Sequence, residues 1–291
     1  MSRKPASSAD PLHARGVLAL VLTAILWSTG GVFIKSLPLE PLTIAGSRSA
    51  IAAVVMLMVL RRPQPTWSGY QWGSIVSYAA TVILFVVATK LTTAANAIFL
   101  QYTAPIWVAV FSWVIARERL TRIDALAILL VMAGMSVFFV EQVDVGSLTG
   151  NMIAVASGVA FAGVALFMRA QRGTSTTESI LLGNVLTAVV CLPFLSPFPL
   201  TLPVMANLLA LGVLQLGVSY LLYSWALKHV SALEAILLTT LEPLLNPVWV
   251  TLFHGETPSV LSMVGGSIVV GAVVLRNVLN SSRLQPQASN R

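Results

Sequence analysis

Residues 88–118 read ATKLTTAANAIFLQYTAPIWVAVFSWVIARE, and residues 226–256 read ALKHVSALEAILLTTLEPLLNPVWVTLFHGE. The two stretches align without a gap at a displacement of 138 residues. Lys90 falls on Lys228, Ala94 on Ala232, Ala97 on Ala235, Pro105 on Pro243 and Glu118 on Glu256. Apolar helices match by chance at alanine, leucine and valine, but a lysine, a proline and a glutamate in one register mark an internal repeat. A weaker match sets Gly16, Phe33 and Lys35 against Gly150, Phe167 and Arg169 at a displacement of 134.

Composition says what kind of chain is repeated. Of 291 residues, 57% are hydrophobic and only 9% charged, against roughly 25% charged in soluble domains. Mean hydropathy is +0.87. Ten apolar runs approach the roughly 20 residues that span a bilayer. They lie at 16–36, 42–61, 70–91, 94–116, 122–140, 148–170, 176–196, 203–228, 232–254 and 258–279, numbered here as spans 1 to 10. The expectation is an all-α integral membrane protein of ten helices. Short connections with turn chemistry, such as SLPLEP, RRPQPTWSG and SPFPLTLP, leave no room for a soluble catalytic domain. Residues 1–15 are polar and basic and precede a run long enough to span, so no cleavable signal peptide is expected. The lone Cys191 reads as a small buried apolar residue.

The net charge of +7 does not point to nucleic acid, because of where the charges fall. Fourteen of the 17 basic residues lie in the tails and in the loops on their side of the membrane. Lys35 and Lys90 lie on the other side, and Arg48 falls inside span 2. The positive-inside rule then places both termini in the cytoplasm.

Each repeat holds five spans. Five is odd, so the second copy enters the membrane upside down. The chain divides into a cytoplasmic tail (1–15), a first repeat (16–140), a second, inverted repeat (148–279) and a second cytoplasmic tail (280–291). Inverted repeats are an architecture of secondary transporters, with the substrate held near the midplane between the halves. A membrane enzyme is not expected, since HExxH, GxSxG, a P-loop and paired intramembrane aspartates are all missing. The missing nucleotide motif also argues against direct ATP drive. A non-transporting scaffold is the remaining alternative.

These segments resemble the ten-helix EamA-type branch of the drug/metabolite transporter superfamily. The resemblance rests on AILWSTGGVFIK (24–35), the single arginine of AGSRSA (45–50), TAPIWVAV (103–110) and ARERLTRIDALAILLVMAGM (116–135). In the second half it rests on KHVSALEAILLTTLEPLL (228–245) and HGETPSVLSMVGGSIVVGAVVL (254–275). The Gly-Glu that usually closes the fourth span reads Arg117-Glu118, whereas Gly255-Glu256 keeps the pattern. The resemblance implies alternating-access export across a bacterial inner membrane, and is nearest to exporters of aromatic and other neutral amino acids. The same fold with another cargo, such as other small metabolites or cationic drugs, stays open.

Helical spacing gives polar and aromatic stripes that could line a path. Thr23, Trp27 and Gly30 share a face of span 1, and Ser74, Tyr78, Thr81 and Phe85 a face of span 3. Asn96, Thr103 and Trp107 share one in span 4, with Gln101 and Tyr102 beside them. Gln215, Ser219 and Tyr223 align in span 8, and Thr239, Glu242 and Asn246 in span 9. The expected substrate-binding set is Trp27, Tyr78, Gln101, Tyr102, Trp107, Ser219, Tyr223, Thr239, Glu242 and Asn246. Hydroxyls and amides suit the ends of a zwitterion, and rings suit an apolar side chain or a cation. Trp67, Tyr70 and Trp72 read as interfacial belt, and Ala154, Gly158 and Ala162 as a packing face. No cofactor and no metal site is expected, since His229 and His254 lie at helix ends.

Charges inside a span need a reason. For Glu242 the readings are a structural hydrogen bond, a partner for the substrate amine, or a proton carrier, which makes the proton a candidate partner. Arg48 reads as snorkelling outward or pairing with Glu40, Glu141 or Asp144, with a substrate carboxylate as the alternative. Pro105 and Pro243 free the carbonyls of Gln101 and Thr239, which makes the two prolines candidate hinges.

Overall fold

The computed structural model describes residues 11–117, 119–141, 147–171, 176–245 and 259–284. Their regular structure is helical, and no strand occurs among the described residues. Span 1 comprises α1 (Pro11–Trp27) and α2 (Gly30–Ser36), followed by α3 (Pro41–Leu60) and α4 (Gly69–Leu91). Span 4 is α5 (Ala94–Gln101) and α6 (Ala104–Ile115), and span 5 is α7 (Arg122–Phe139). The second half begins with α8 (Leu148–Ala170) and α9 (Thr176–Cys191). Span 8 is α10 (Leu202–Leu209), a π-helical stretch (Ala210–Val218) and α11 (Ser219–Ala226). Span 9 opens with α12 (Ala232–Thr239), with helical backbone again over 241–245, and span 10 is α13 (Val260–Leu284). Eight spans are long and apolar enough to cross a bilayer, and Val260–Arg276 is a shorter apolar helix. The end of span 9, including Asn246, Pro247, His254 and Glu256, lies outside the described residues, as does Glu118. Helix α1 already includes Pro11, five residues before the expected 16.

The repeat is visible in local structure. Helices α5 and α12 have the same bounds once displaced by 138 residues. Each is started by a hydroxyl cap: Thr93 Oγ1 accepts from Asn96 N–H at 3.0 Å, and Ser231 Oγ from Glu234 N–H at 3.1 Å. The helix breaks that follow, at Tyr102–Thr103 and at Thr240, also correspond.

Packing repeats in the same way. Span 3 packs on span 6, and span 8 on span 1. Span 4 packs on span 6, and span 9 on span 1. Span 3 packs on span 7, and span 8 on span 2. Each pair becomes the next when the halves are exchanged. Spans 2 and 7 pack on each other, as do 5 and 10, so each of these pairs maps onto itself. That is the signature of a pseudo-twofold relation between two five-helix repeats. In the 5–10 pair, a Cβ on Gly265 would stand 2.4 Å from Phe138 N, so only glycine allows that approach. The same two helices are joined by a buried ion pair, Arg276 Nε to Asp124 Oδ1 at 2.9 Å.

Apolar residues that would be anomalous on a soluble surface cover the outside. Met58 is 65% exposed, and Val59, Trp113, Val114 and Leu129 are exposed as well. This is a lipid-facing surface. Trp67, Tyr70 and Trp72 are exposed near a loop, with Trp67 and Trp72 rings 5.7 Å apart. Ala154 and Ala162 are buried, and Cys191 is a free, buried thiol. Lys35 Nζ donates to the Thr92 carbonyl (3.0 Å) and Lys90 Nζ to that of Leu37 (2.6 Å), which gathers both lysines at one end of the bundle. At the other end His13 meets Glu234 at 2.9 Å, and Arg169 donates to the Leu227 carbonyl at 3.0 Å.

Candidate functional site

A small cavity lies between the halves. The first half contributes Trp27, Arg48, Thr81, Val82, Phe85 and Gln101. The second contributes Phe161, Gln215, Leu216, Tyr220 and Glu242. The space open to the centre of a water molecule is only about 30 Å³, room for roughly two waters. A wider opening near Thr66, Tyr70 and Arg117 lies at the helix ends and gathers no comparable set of buried polar groups.

One wall is aromatic. The Trp27 ring lies 4.8 Å from Tyr220, 5.3 Å from Tyr223 and 5.6 Å from Phe161. Its indole N–H donates to Ser219 Oγ at 2.8 Å, and Ser219 in turn donates to the Gln215 carbonyl. Thr23 Oγ1 reaches the Ser219 carbonyl at 3.2 Å. These bonds fix the Trp27 ring plane at the seam of the repeats. The Tyr223 hydroxyl is buried and has no hydrogen-bond partner.

A second wall is made where the two helix breaks meet. The Tyr102 hydroxyl is 2.7 Å from the Thr239 carbonyl and 2.6 Å from Glu242 Oε2. Pro243 has no N–H, so nothing within the helix can bond the Thr239 carbonyl in the usual way. Tyr102 fills that vacancy from the other repeat. A phenol has one hydrogen and cannot donate fully to two acceptors. The freed Gln101 carbonyl is treated differently: it lies against Gly158, where a Cβ would come within 2.6 Å. The Gln101 amide donates to Ser157 Oγ at 2.7 Å, and Ser157 to the Thr81 carbonyl at 3.2 Å. Pro105 sits in the first turn of a new helix, not inside a kinked one, which is a position that tolerates proline.

The expected residues thus separate. Trp27, Gln101 and Glu242 line the cavity. Tyr102, Thr239 and Ser219 stand behind that lining and hold it. Tyr78 is turned away, its hydroxyl donating to Asn184 Oδ1 at 3.1 Å on α9, though its ring meets Tyr220 at 4.7 Å. Trp107 donates within its own span, to Thr103 Oγ1 at 3.2 Å, and does not reach the cavity lining. Asn246 lies outside the described residues. Among the described residues no cluster of histidine, cysteine and carboxylates could hold a metal.

Arg48 corrects the sequence reading. It neither snorkels nor pairs with Glu40 or Glu141. It is 1% exposed and lines the cavity. The third expected partner, Asp144, lies outside the described residues. Its Nη1 donates to Gln215 Oε1 at 3.1 Å and its Nη2 to the Val82 carbonyl at 3.4 Å. The π-helical stretch brings Gln215 there, and Gly212 lets α3 approach: a Cβ on Gly212 would stand 2.5 Å from Ile51. Phe161 was also missed, because one phenylalanine in an apolar helix carries no polar signal.

A many-helix membrane protein whose two related halves close around a cavity is built as a carrier. The sequence matches the EamA-like transporter family twice, at residues 14–140 and 148–278. The chain belongs to that family and is a multi-pass membrane transporter. It is 25% identical over 261 residues to an uncharacterised transporter of Archaeoglobus fulgidus, covering 89% of this chain and 95% of that one. It is 26% identical over 270 residues to the pseudopaline exporter CntI of Pseudomonas aeruginosa, covering 89% and 94%. A solved crystal structure superposes with a TM-score of 0.77 at 18% identity, over 92% of this chain and 99% of the other, which shows the shared fold.

Proposed function

We propose that this transporter exports neutral amino acids, aromatic ones among them, across a bacterial inner membrane by alternating access. The observation that carries the reading is the composition of the cavity wall: packed rings beside a carboxylate and an amide, at the seam of the two halves. The rings of Trp27, Phe161 and Tyr220 suit an apolar side chain. Glu242 suits an ammonium group, with Tyr102 holding it in place. Export is the direction in the name of the Pseudomonas relative, and its cargo is not carried over at this identity. The charge distribution favours cytoplasmic termini, the two repeats (16–140 and 148–279) rock against each other, and the breaks at Pro105 and Pro243 serve as hinges.

Uptake of labelled amino acids by proteoliposomes decides the substrate. Folded, reconstituted protein that moves no amino acid overturns the proposal. A cationic drug is the second reading, favoured by a carboxylate set among aromatic rings. Competition by hydrophobic cations in the same assay separates the two.

A further inference from the structure

We infer that the Arg48 guanidinium is the subsite for a carboxylate of the transported solute. The inference rests on the carrier reading above and adds a residue that reading did not use.

A buried cation is costly without an anion. Arg48 is almost fully enclosed, yet among the described residues no carboxylate lies within ion-pair distance of it. The ionisable groups that face it are Tyr78, Tyr220 and Cys191, all neutral acids at their ordinary values. Its two protein bonds go to uncharged oxygens, of Gln215 and of the Val82 backbone. A guanidinium has five N–H donors, so three remain without an acceptor among the described residues. The Nε–H is among them, buried and unpartnered. The side chain lines the cavity.

This is a planar donor fork in the cavity wall, held by two uncharged acceptors and short of an anion. Its chemical complement is a carboxylate, which takes two parallel N–H bonds. Gln215 and the Val82 carbonyl act as positioning groups. Glu242 lines the same cavity from span 9 and offers the opposite charge. An amino-acid zwitterion has one group for each. A purely cationic cargo would leave Arg48 without an anion. An inorganic anion such as chloride could occupy the same fork, so the test must separate the two.

The experiment measures binding to purified protein, by thermal stabilisation and tryptophan fluorescence, of phenylalanine, phenethylamine and 3-phenylpropionate. Each is run in chloride and in gluconate. Two variants accompany the wild type. Arg48→Gln removes the charge. Gln215→Glu keeps the shape of the glutamine and sets a carboxylate where Oε1 stands, 3.1 Å from the guanidinium, where it competes with the ligand. Both are expected to weaken phenylalanine binding by at least roughly tenfold, the loss of one charge-assisted bond. Phenethylamine, which lacks the carboxylate, keeps its affinity.

Unchanged phenylalanine affinity in folded Gln215→Glu, or equal losses for phenylalanine and phenethylamine, overturns the carboxylate subsite and leaves the amino-acid reading standing. Arg48-dependent binding of 3-phenylpropionate without binding of phenylalanine upholds the subsite and overturns the amino-acid reading. Arg48-dependent stabilisation by chloride alone, with no organic acid bound, assigns the fork to an inorganic anion and overturns the proposal. A wild type that binds none of these ligands overturns both.

Discussion

Replacing Tyr102 with phenylalanine removes one oxygen and leaves the ring, with its edge contact to Phe161 at a 6.4 Å centroid separation. The Thr239 carbonyl then loses its partner, and Pro243 prevents the helix from supplying another. Glu242 loses its one hydrogen bond among the described residues. A buried group left unsatisfied costs about 1–3 kcal/mol. Thr239 has no exposed surface, so its carbonyl bears that cost in full. Glu242 borders the cavity, where water offsets part of its share. The sum is about 2–3 kcal/mol. At roughly 2–4 °C per kcal/mol for chains of this order of size, Tm falls by about 4–12 °C. The assay is thermal unfolding in detergent of wild type, Tyr102→Phe, Glu242→Gln and the double variant. Residues in direct contact couple by about 0.5–3 kcal/mol, so the double variant should lose less than the two singles together. A fall below about 1 °C, or strict additivity, refutes the claim that this hydroxyl ties the two breaks together.

Glu242→Gln should fold and should flatten the pH dependence of transport between pH 5 and 8; a variant indistinguishable from wild type across that range removes Glu242 as a proton carrier. Pro243→Ala restores an N–H that can bond Thr239, competes with Tyr102, and should slow exchange between inward- and outward-open forms; unchanged rates in a cysteine-accessibility assay discard the hinge. Arg117 has a φ of 56°, in the left-handed region, where the first repeat lacks the glycine of the family pattern. Arg117→Gly should therefore stabilise by about 0.5–1 kcal/mol, the left-handed strain less the entropy of glycine, and a loss of stability contradicts this. Asp124→Ala breaks the buried pair with Arg276 and the capping box with Thr121, and should cost about 3–5 kcal/mol in thermal unfolding; a change under about 1 kcal/mol means that the pair is not structural.

The repeat was legible in the sequence because a lysine, a proline and a glutamate hold their places where apolar residues drift. Thr93 and Ser231 stand at the same offset from Pro105 and Pro243, and the helices they start have matching bounds. The stripes placed Trp27, Gln101 and Glu242 on the cavity wall, but not every residue of a stripe followed. Asn96, Thr103 and Trp107 were read as one face, but the break at Tyr102–Thr103 turns α6 away from α5. Asn96 instead reaches Asn151 Oδ1 at 3.2 Å, while Trp107 stays within its own span. Arg48 was misread for another reason. Depth along a helix suggests snorkelling, and what holds this side chain inward is Gln215, 167 residues away on a π-helical turn that hydropathy does not register.

The bond between Tyr102 and Glu242 occurs once, since Ala104 stands where the pseudo-twofold would put a second carboxylate. In the alternating-access cycle proposed above, exchanging the conformations of the halves converts the inward-facing state into the outward-facing one. Two identical halves would make those states equal in energy. A contact with no mirror image cannot stabilise both alike. On the proposed cycle, this contact favours one side of the membrane before any solute or gradient acts.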